Sequence, residues 1–199
     1  MPAFNHSSAR RGFTLLELLI AIAIISLLIG LALPTLGKAR ARSKLTACGS
    51  NLRQVSIGLR SYMSDNGDIL PYASFMPSID PLPLSSADSI FIADVLKPHL
   101  GDQGEVFRCP NDSDGASRPA PNENKTYYES EKSSYEYRAR YGGETMAGVV
   151  ERFRNSRNET YSDSTIWLFR DYENFHGPGG TPDSRRYVYL DGHVTDYEN

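Results

Sequence analysis

The sequence lacks the patterns that mark most enzymes. No serine stands in a Gly-x-Ser-x-Gly elbow, and neither cysteine has an arranged histidine nearby in the sequence. The glycine-rich stretch 176–180 lacks the Gly-Lys-Ser/Thr ending of a phosphate loop. No histidine pair has the His-Glu-x-x-His spacing of a zinc enzyme. We therefore expect no enzymatic activity.

Charge of one sign and overall hydrophobicity are also low. The formal net charge is -3, which gives no reason to expect a basic nucleic-acid surface over the whole molecule. A hydrophobic fraction of 40% is too low for a protein that crosses a membrane many times. The length of 199 residues suits one globular domain behind a targeting segment.

The apolar residues that are present are concentrated in one run near the N-terminus. Phe13 to Leu33 carries a single charge, at Glu17. As a helix this run would be about 31 Å long, enough to cross the hydrocarbon core of a membrane. Arg10 and Arg11 precede it and favour a cytoplasmic leader, so the rest of the chain would lie outside the cytoplasmic membrane.

Glu17 is the residue of most interest in this run. A carboxylate inside a spanning segment is costly, and such residues usually mark function. The alternative is that Glu17 lies near the membrane interface, where the dipole of the first helical turns favours an anion. The residues around Glu17 bear on this choice, since Gly12-Phe13-Thr14-Leu15-Leu16 comes directly before it.

This segment resembles the start of type IV pilins and pseudopilins, with a tight match from Arg11 to Pro34. The resemblance implies that a prepilin peptidase cuts after Gly12 and that the new N-terminal residue, Phe13, is methylated. It further implies that Glu17 neutralises the N-terminal amine of a neighbouring subunit in a filament. A buried carboxylate is tolerable when it is paired.

An ordinary signal peptide is the competing interpretation of the same segment. Gly30-Leu31-Ala32 fits the small-x-small pattern of a signal-peptidase cleavage site, and cleavage after Ala32 would release a soluble protein. The apolar run is long for a signal peptide, however, and Glu17 interrupts it.

Beyond Pro34 the helix is predicted to continue to about Ser64. An apolar face recurs at alternating spacings of three and four residues, and Asp65-Asn66-Gly67-Asp68 supplies turn residues after it. The face consists of Leu45, Cys48, Leu52, Val55, Leu59 and Tyr62.

The C-terminal part is predicted to contain a short helix over 90–96 and several strands. Alternating tyrosines predict a strand over 135–141, and 165–169 predicts another. Two β-prone runs, 186–190 and 193–197, flank Asp191-Gly192 and predict a tight hairpin.

The expected fold class is therefore α+β and pilin-like. A long N-terminal helix, transmembrane in its first half, would pack against a small antiparallel sheet. The expected organisation is a leader at 1–12, a transmembrane and assembly helix at 13–36, and a periplasmic globular head at 37–199 that includes the second half of the helix.

Three further stretches resemble a large bacterial group of pseudopilin-like proteins. They are the segment 48–54, the Cys-Pro-x-Asp stretch at 109–112, and a terminal His…Asp-Gly motif formed by His176 and Asp191-Gly192. The last departs from the group's pattern, because 14 residues separate its two parts, more than the group usually has.

Two candidate sites remain open in the sequence. Export to an oxidising compartment favours a disulfide between Cys48 and Cys109, and the alternative is two free thiols, one of them buried in a helix.

Asp171, His176, Asp191 and His193 form a cluster that could hold a metal, although a structural role for Asp191 in its turn is favoured and we expect no cofactor. Calcium on Asp171, Asp183 and Asp191 is suggested only by a weak resemblance to major pseudopilins, without regular calcium-loop spacing.

Two functions are compatible with these features. The first is a structural subunit, a pseudopilin or minor pilin, of a type II secretion or type IV pilus filament. By resemblance, its partners would be prepilin peptidase, other pilin subunits, an inner-membrane assembly platform and membrane lipid, but not nucleic acid. The second is a pilin-anchored binding module whose head recognises DNA, polysaccharide or an exported protein; the basic segment 38–44 and the tyrosines permit it. Either would be a single-pass protein of the cell inner membrane with its head outside the cytoplasm.

Overall fold

A computed structural model describes residues 13–78, 90–101, 103–113, 122–157 and 161–196 of the chain. The chain divides into two compact units between Ala41 and Arg42. One helix, α1 (Leu15–Asp65), contributes residues to both units. The predicted leader at 1–12, with its cleavage residue Gly12, lies outside the described residues.

The first unit contains the apolar part of α1. By length and composition this helix could cross a membrane, and none of its most apolar window is buried within the protein. Pro34 lies inside the helix. Side chains such as Leu15, Leu27 and Leu31 are at least 65% exposed. An exposed apolar surface of this size needs lipid or another apolar surface to cover it.

The second unit is built around the remaining turns of α1. The predicted apolar face is confirmed, because Cys48, Leu52, Val55 and Leu59 are all buried, with at most 1% exposure. The two ends of the predicted face, Leu45 and Tyr62, are half-buried.

Within the described residues of this unit, four short strands form one antiparallel sheet in the order β1–β2–β3–β4. The strands are β1 (Tyr135–Tyr137), β2 (Trp167–Asp171), β3 (Arg186–Tyr189) and β4 (Val194–Asp196). The buried residues of the sheet and of α1 belong to one core. The fold class is therefore α+β and pilin-like, as expected.

The hairpin across Asp191-Gly192 is confirmed, with Val188 opposite Val194 and Arg186 opposite Asp196. Gly192 has a φ of 89°, a conformation that favours glycine, and its amide donates to the carbonyl of Tyr189.

The strand predicted over 135–141 is wrong in its second half. The chain leaves the sheet after Tyr137 and forms a 3₁₀ helix at Ala139–Tyr141. Arg138 still donates its amide to Leu168, but its ψ of 72° turns the chain away from the ladder. The alternating pattern of tyrosines extends to Tyr141 because this residue is also buried, but it lies in the 3₁₀ helix and not in a strand.

Two other helices are absent from the sequence prediction: α3 (Tyr127–Glu131) and α4 (Met146–Arg157). The helix predicted over 90–96 is present as α2 (Ile92–Leu96) and continues into a 3₁₀ helix at Lys97–Leu100. A further 3₁₀ helix at Gly104–Phe107 leads into Cys109. The helices α3 and α4 each begin after a threonine that caps the helix N-terminus, Thr126 for α3 and Thr145 for α4. Such threonines mark helix starts in a sequence and could have predicted both helices.

Candidate functional site

The start of α1 is closed by a reciprocal pair of side chains. The Thr14 hydroxyl accepts a hydrogen bond from the Glu17 amide at 3.3 Å. In return, the Glu17 Oε2 atom accepts from the Thr14 amide at 2.9 Å and from the Thr14 hydroxyl at 2.8 Å. This is a capping box, in which two otherwise unsatisfied amides of a helix start receive partners. Glu17 is thus held at the first turn by a local interaction that follows from Thr-x-x-Glu spacing.

The second arrangement lies in the C-terminal unit, at the point where α1 meets the sheet. Cys48 and Cys109 are both buried, and the structure holds them as free thiols. Their ligand atoms, with those of Asp171 and His176, all lie within 4.8 Å of one another. The structure therefore brings the two cysteines together without forming the disulfide, and their pairing stays a prediction.

The contacts within this group link all four residues. The Cys48 thiol donates to Asp171 Oδ1 at 3.2 Å, and Cys109 Sγ lies 3.5 Å from His176 Nε2. The same imidazole nitrogen is 3.4 Å from Asp171 Oδ2, and the two side chains are 2% and 0% exposed. We call these four residues the thiol cluster.

Burial and mutual contact shift the acidity of this cluster. Burial raises the pKa of the Cys48 thiol, whereas the contact with Cys48, and then that with His176, lowers the pKa of Cys109. Burial alone would lower the pKa of His176, but Asp171 and Cys109 outweigh it and raise that pKa to about 9. The cluster thus favours a proton on the ring and negative charge on Cys109.

A polar shell holds the thiol cluster in place. The hydroxyl of Tyr135 lies 3.4 Å from Cys48 Sγ, and the Arg186 amide donates to Asp171 Oδ2 at 2.7 Å. The side-chain amide of Asn111 lies 3.1 Å from His176 Nδ1.

Asp112 explains the Cys-Pro-x-Asp stretch at 109–112 in physical terms. Its carboxylate accepts from the first two amides of α3, those of Tyr127 and Tyr128, and from the hydroxyl of Ser134. Ser134 Oγ in turn accepts from the amide of Cys109 at 2.9 Å. The motif therefore fixes the backbone that carries Cys109.

The other metal candidates have separate partners. Asp191 accepts from the amide of His193 at 3.0 Å and lies 2.6 Å from its ring nitrogen, within the hairpin turn. Asp183 pairs with Arg186 at 3.3 Å. Asp171 alone of the three candidate carboxylates joins the thiol cluster. The sequence analysis grouped Asp171 with His176 but did not add the two cysteines, because Cys48 is 123 residues from Asp171 and Cys109 is 67 residues from His176.

An apolar helix whose first turn is closed by Thr14 and Glu17, followed by an α+β unit, is a pilin-like architecture. The comparisons with known proteins agree. The family model described as the prokaryotic N-terminal methylation motif matches residues 7–33. Over this N-terminal segment the chain is therefore similar to type IV pilins.

Among curated proteins, the type IV major pilin protein PilA of Myxococcus xanthus (strain DK1622) is 38% identical over 74 residues. The matched stretch is 37% of this chain and 34% of the relative, so the match spans about a third of the length of that protein. No solved structure matches the chain.

Proposed function

We propose that this chain is a non-enzymatic structural subunit, a pseudopilin or minor pilin, of a type II secretion or type IV pilus-like filament. The observation that carries the proposal is the Glu17 carboxylate at the first turn of an exposed apolar helix. A charge at this place is costly in lipid unless it has a partner, and a filament of bundled helices offers one.

Membrane insertion comes before assembly in this proposal. The segment 13–36 anchors the chain in the inner membrane, with the leader arginines on the cytoplasmic side and the C-terminal unit outside the cytoplasm. Prepilin peptidase then cuts between Gly12 and Phe13 and methylates the new terminus. The apolar surface that faces lipid before assembly would face other subunits afterwards.

The geometry of the capping box suits the pairing role of Glu17. Both hydrogen bonds from Thr14 end on the same carboxylate oxygen, Oε2. One of the donors is the amide of Thr14, the residue next to the terminus that cleavage would create at Phe13. A carboxylate can accept more hydrogen bonds than these two, so Oε1 is suited to a terminal amine.

The first experiment is intact-mass measurement and N-terminal sequencing of the protein from its host's membranes. The proposal expects a chain that begins with methylated Phe13. A chain that begins near Leu33, or one with an uncut leader, would refute the processing step. Crosslinking of the mature protein to other pilin subunits would then test assembly.

A second candidate function, a surface binding module, is favoured by one specific observation. Arg138 and Arg170 both lie over the ring of Trp167, with guanidinium carbons 4.1 Å and 4.5 Å from its centroid. They line a cavity of about 410 Å³ together with Arg140 and with Glu136, whose carboxylate pairs with Arg170. Burial lowers the pKa of Arg138 to about 10, which leaves it charged at neutral pH. An arginine-aromatic surface of this kind suits anionic or carbohydrate ligands.

Retention of the full chain in detergent on DNA and on acidic polysaccharide beads tests this second function. We expect salt-sensitive retention that is lost in Arg140→Gln/Arg170→Gln. Arg53→Gln is the matched control, because Arg53 is exposed on α1 and lies away from Trp167 in sequence. If Arg140→Gln/Arg170→Gln and Arg53→Gln are retained equally, any binding comes from the overall charge of the protein and not from the surface around Trp167. Only the proposed role as a structural subunit would then remain.

A further inference from the structure

We propose that the thiol cluster, Cys48, Cys109, Asp171 and His176, is a binding site for a divalent transition-metal ion, with Zn²⁺ as the fitting species. Each residue offers one ligand atom, and these atoms lie within 4.8 Å of one another. Two sulfurs, one imidazole nitrogen and one carboxylate oxygen form a donor set that Zn²⁺ prefers in proteins.

Three of the six separations between the four ligand residues are close to the edges of a tetrahedron. With metal-sulfur bonds of about 2.3 Å and metal-nitrogen or metal-oxygen bonds of about 2.0–2.2 Å, neighbouring ligands in a tetrahedral complex are about 3.3–3.8 Å apart. The observed separations are 3.2 Å from Cys48 Sγ to Asp171 Oδ1, 3.5 Å from Cys109 Sγ to His176 Nε2 and 3.4 Å from His176 Nε2 to Asp171 Oδ2. Two of them end on different oxygens of one carboxylate, so binding through one oxygen needs the Asp171 side chain to turn. An ion could therefore bind after small side-chain shifts.

The surrounding polar groups suit a metal-bound state. A histidine that binds metal through Nε2 carries its proton on Nδ1, which needs an acceptor. The Asn111 side-chain nitrogen lies 3.1 Å from Nδ1 and also donates to the carbonyl of Phe175 at 3.1 Å. Metal binding through Nε2 therefore requires this amide to turn its oxygen to the ring and to give up the hydrogen bond to Phe175. The Arg186 amide donates to Asp171 Oδ2 and so keeps the carboxylate oriented.

Binding would be an exchange of protons for metal, with no change of oxidation state. The ion replaces the thiol proton of Cys48 and the extra proton of the His176 ring, both of which leave to solvent, while Cys109 binds as the thiolate and His176 as the neutral ring. The divalent charge then offsets most of the negative charge that two thiolates and one carboxylate would bring into the core.

The position of the site indicates a structural role for the ion. Cys48 belongs to α1, Cys109 follows a 3₁₀ helix, Asp171 ends β2, and His176 lies between β2 and β3. Four protein ligands complete a tetrahedral shell, and closed shells of this kind are structural rather than catalytic. A bound ion would tie α1 to the sheet at its buried face.

A disulfide between the same two sulfurs is the competing state, and the two exclude each other. The disulfide would need an external oxidant to remove two electrons and two protons, whereas metal binding needs none.

The full chain purified in detergent with reductant, free of chelator, is therefore titrated with Co²⁺ and then Zn²⁺. We expect one Co²⁺ per chain with a thiolate-to-cobalt charge-transfer band, displaced by one Zn²⁺ and accompanied by a higher thermal midpoint.

Variants assign the site. Cys109→Ser and His176→Gln should lose the charge-transfer band and the thermal shift. His193→Gln is the matched control, because it removes a histidine that pairs with Asp191 in the same unit, and it should bind as the wild type does. If the cysteine variant fails to fold, the wild-type titration still decides. No stoichiometric Co²⁺ binding by the reduced wild-type chain would overturn the proposal, as would an isolated native protein in which both thiols are already oxidised to each other.

Discussion

Thr14 and Glu17 hold each other through three hydrogen bonds at the start of α1, two of which end on the same carboxylate oxygen. The residue proposed to pair with a neighbouring subunit is thus also the residue that closes its own helix. Since both roles use one carboxylate, they can be separated only by changing its charge and its hydrogen bonds independently.

Glu17→Gln tests the charge. Glutamine still accepts the hydrogen bonds of a capping box, so helix formation should be retained, but it cannot neutralise a terminal amine. We expect normal cleavage and membrane insertion with filament assembly lost. The measurement is filament yield by electron microscopy beside the amount of mature protein on a blot. Normal filaments from this variant would remove the proposed role of Glu17.

Thr14→Ala is the matched variant for the cap. It removes a hydroxyl that both accepts from the Glu17 amide and donates to the carboxylate, at a cost of about 0.5–2 kcal/mol of helix stability. We expect filaments to form with this variant, because the charge of Glu17 is retained. Loss of assembly in Thr14→Ala would show that the cap, rather than the charge, limits assembly.

The buried face of α1 is expected to contribute strongly to the stability of the C-terminal unit. Leu52 is fully buried, and Leu52→Ala should reduce the free energy of unfolding by about 2–5 kcal/mol. Ile57, on the same helix, is 61% exposed, so Ile57→Ala should change it by no more than about 0.5 kcal/mol. Urea unfolding followed by tyrosine and tryptophan fluorescence gives both values, and equal losses would contradict the assigned face.

The hairpin turn is expected to tolerate no side chain at Gly192. A Cβ atom there would lie 3.0 Å from the Arg60 guanidinium and 3.1 Å from the Ser56 hydroxyl, at a φ of +89°. Gly67 is the control, because it also has a positive φ but has nothing within 4 Å of an added Cβ. We expect Gly67→Ala to reduce the free energy of unfolding by about 1–2 kcal/mol, because of its backbone conformation alone. Gly192→Ala should lower the melting temperature more than Gly67→Ala does. Equal melting temperatures would show that α1 moves aside at no cost.

Asp112 is expected to hold the backbone around Cys109. Asp112→Ala removes the acceptor for two α3 amides and the Ser134 hydroxyl, and a loss on the order of 2–3 kcal/mol is expected. Asp94→Ala removes an aspartate whose ion pair with Lys132 is half exposed, and should cost no more than about 1 kcal/mol. Chemical denaturation of the two variants side by side is the measurement. A larger loss in Asp94→Ala would contradict the role of Asp112.

The sequence by itself determined the features that depend on neighbouring residues. The helix from Leu15 to Asp65, its buried face and the hairpin at Asp191-Gly192 all follow from spacing and turn chemistry, which act over a few residues. The N-terminal motif is likewise read directly, since Gly12, Phe13 and Glu17 stand together.

Only the tertiary structure decided which distant side chains meet. Cys48 and Asp171 are 123 residues apart in the chain, yet their side chains share a hydrogen bond. The 3₁₀ turn at Ala139–Tyr141 was likewise set by the burial of Tyr141, against an alternating pattern that favoured a strand. The periodicity of apolar residues shows which face of one helix or strand is buried. Packing in the core fixes which of these faces contact each other. The thiol cluster exists only because α1 and the end of β2 are buried against each other.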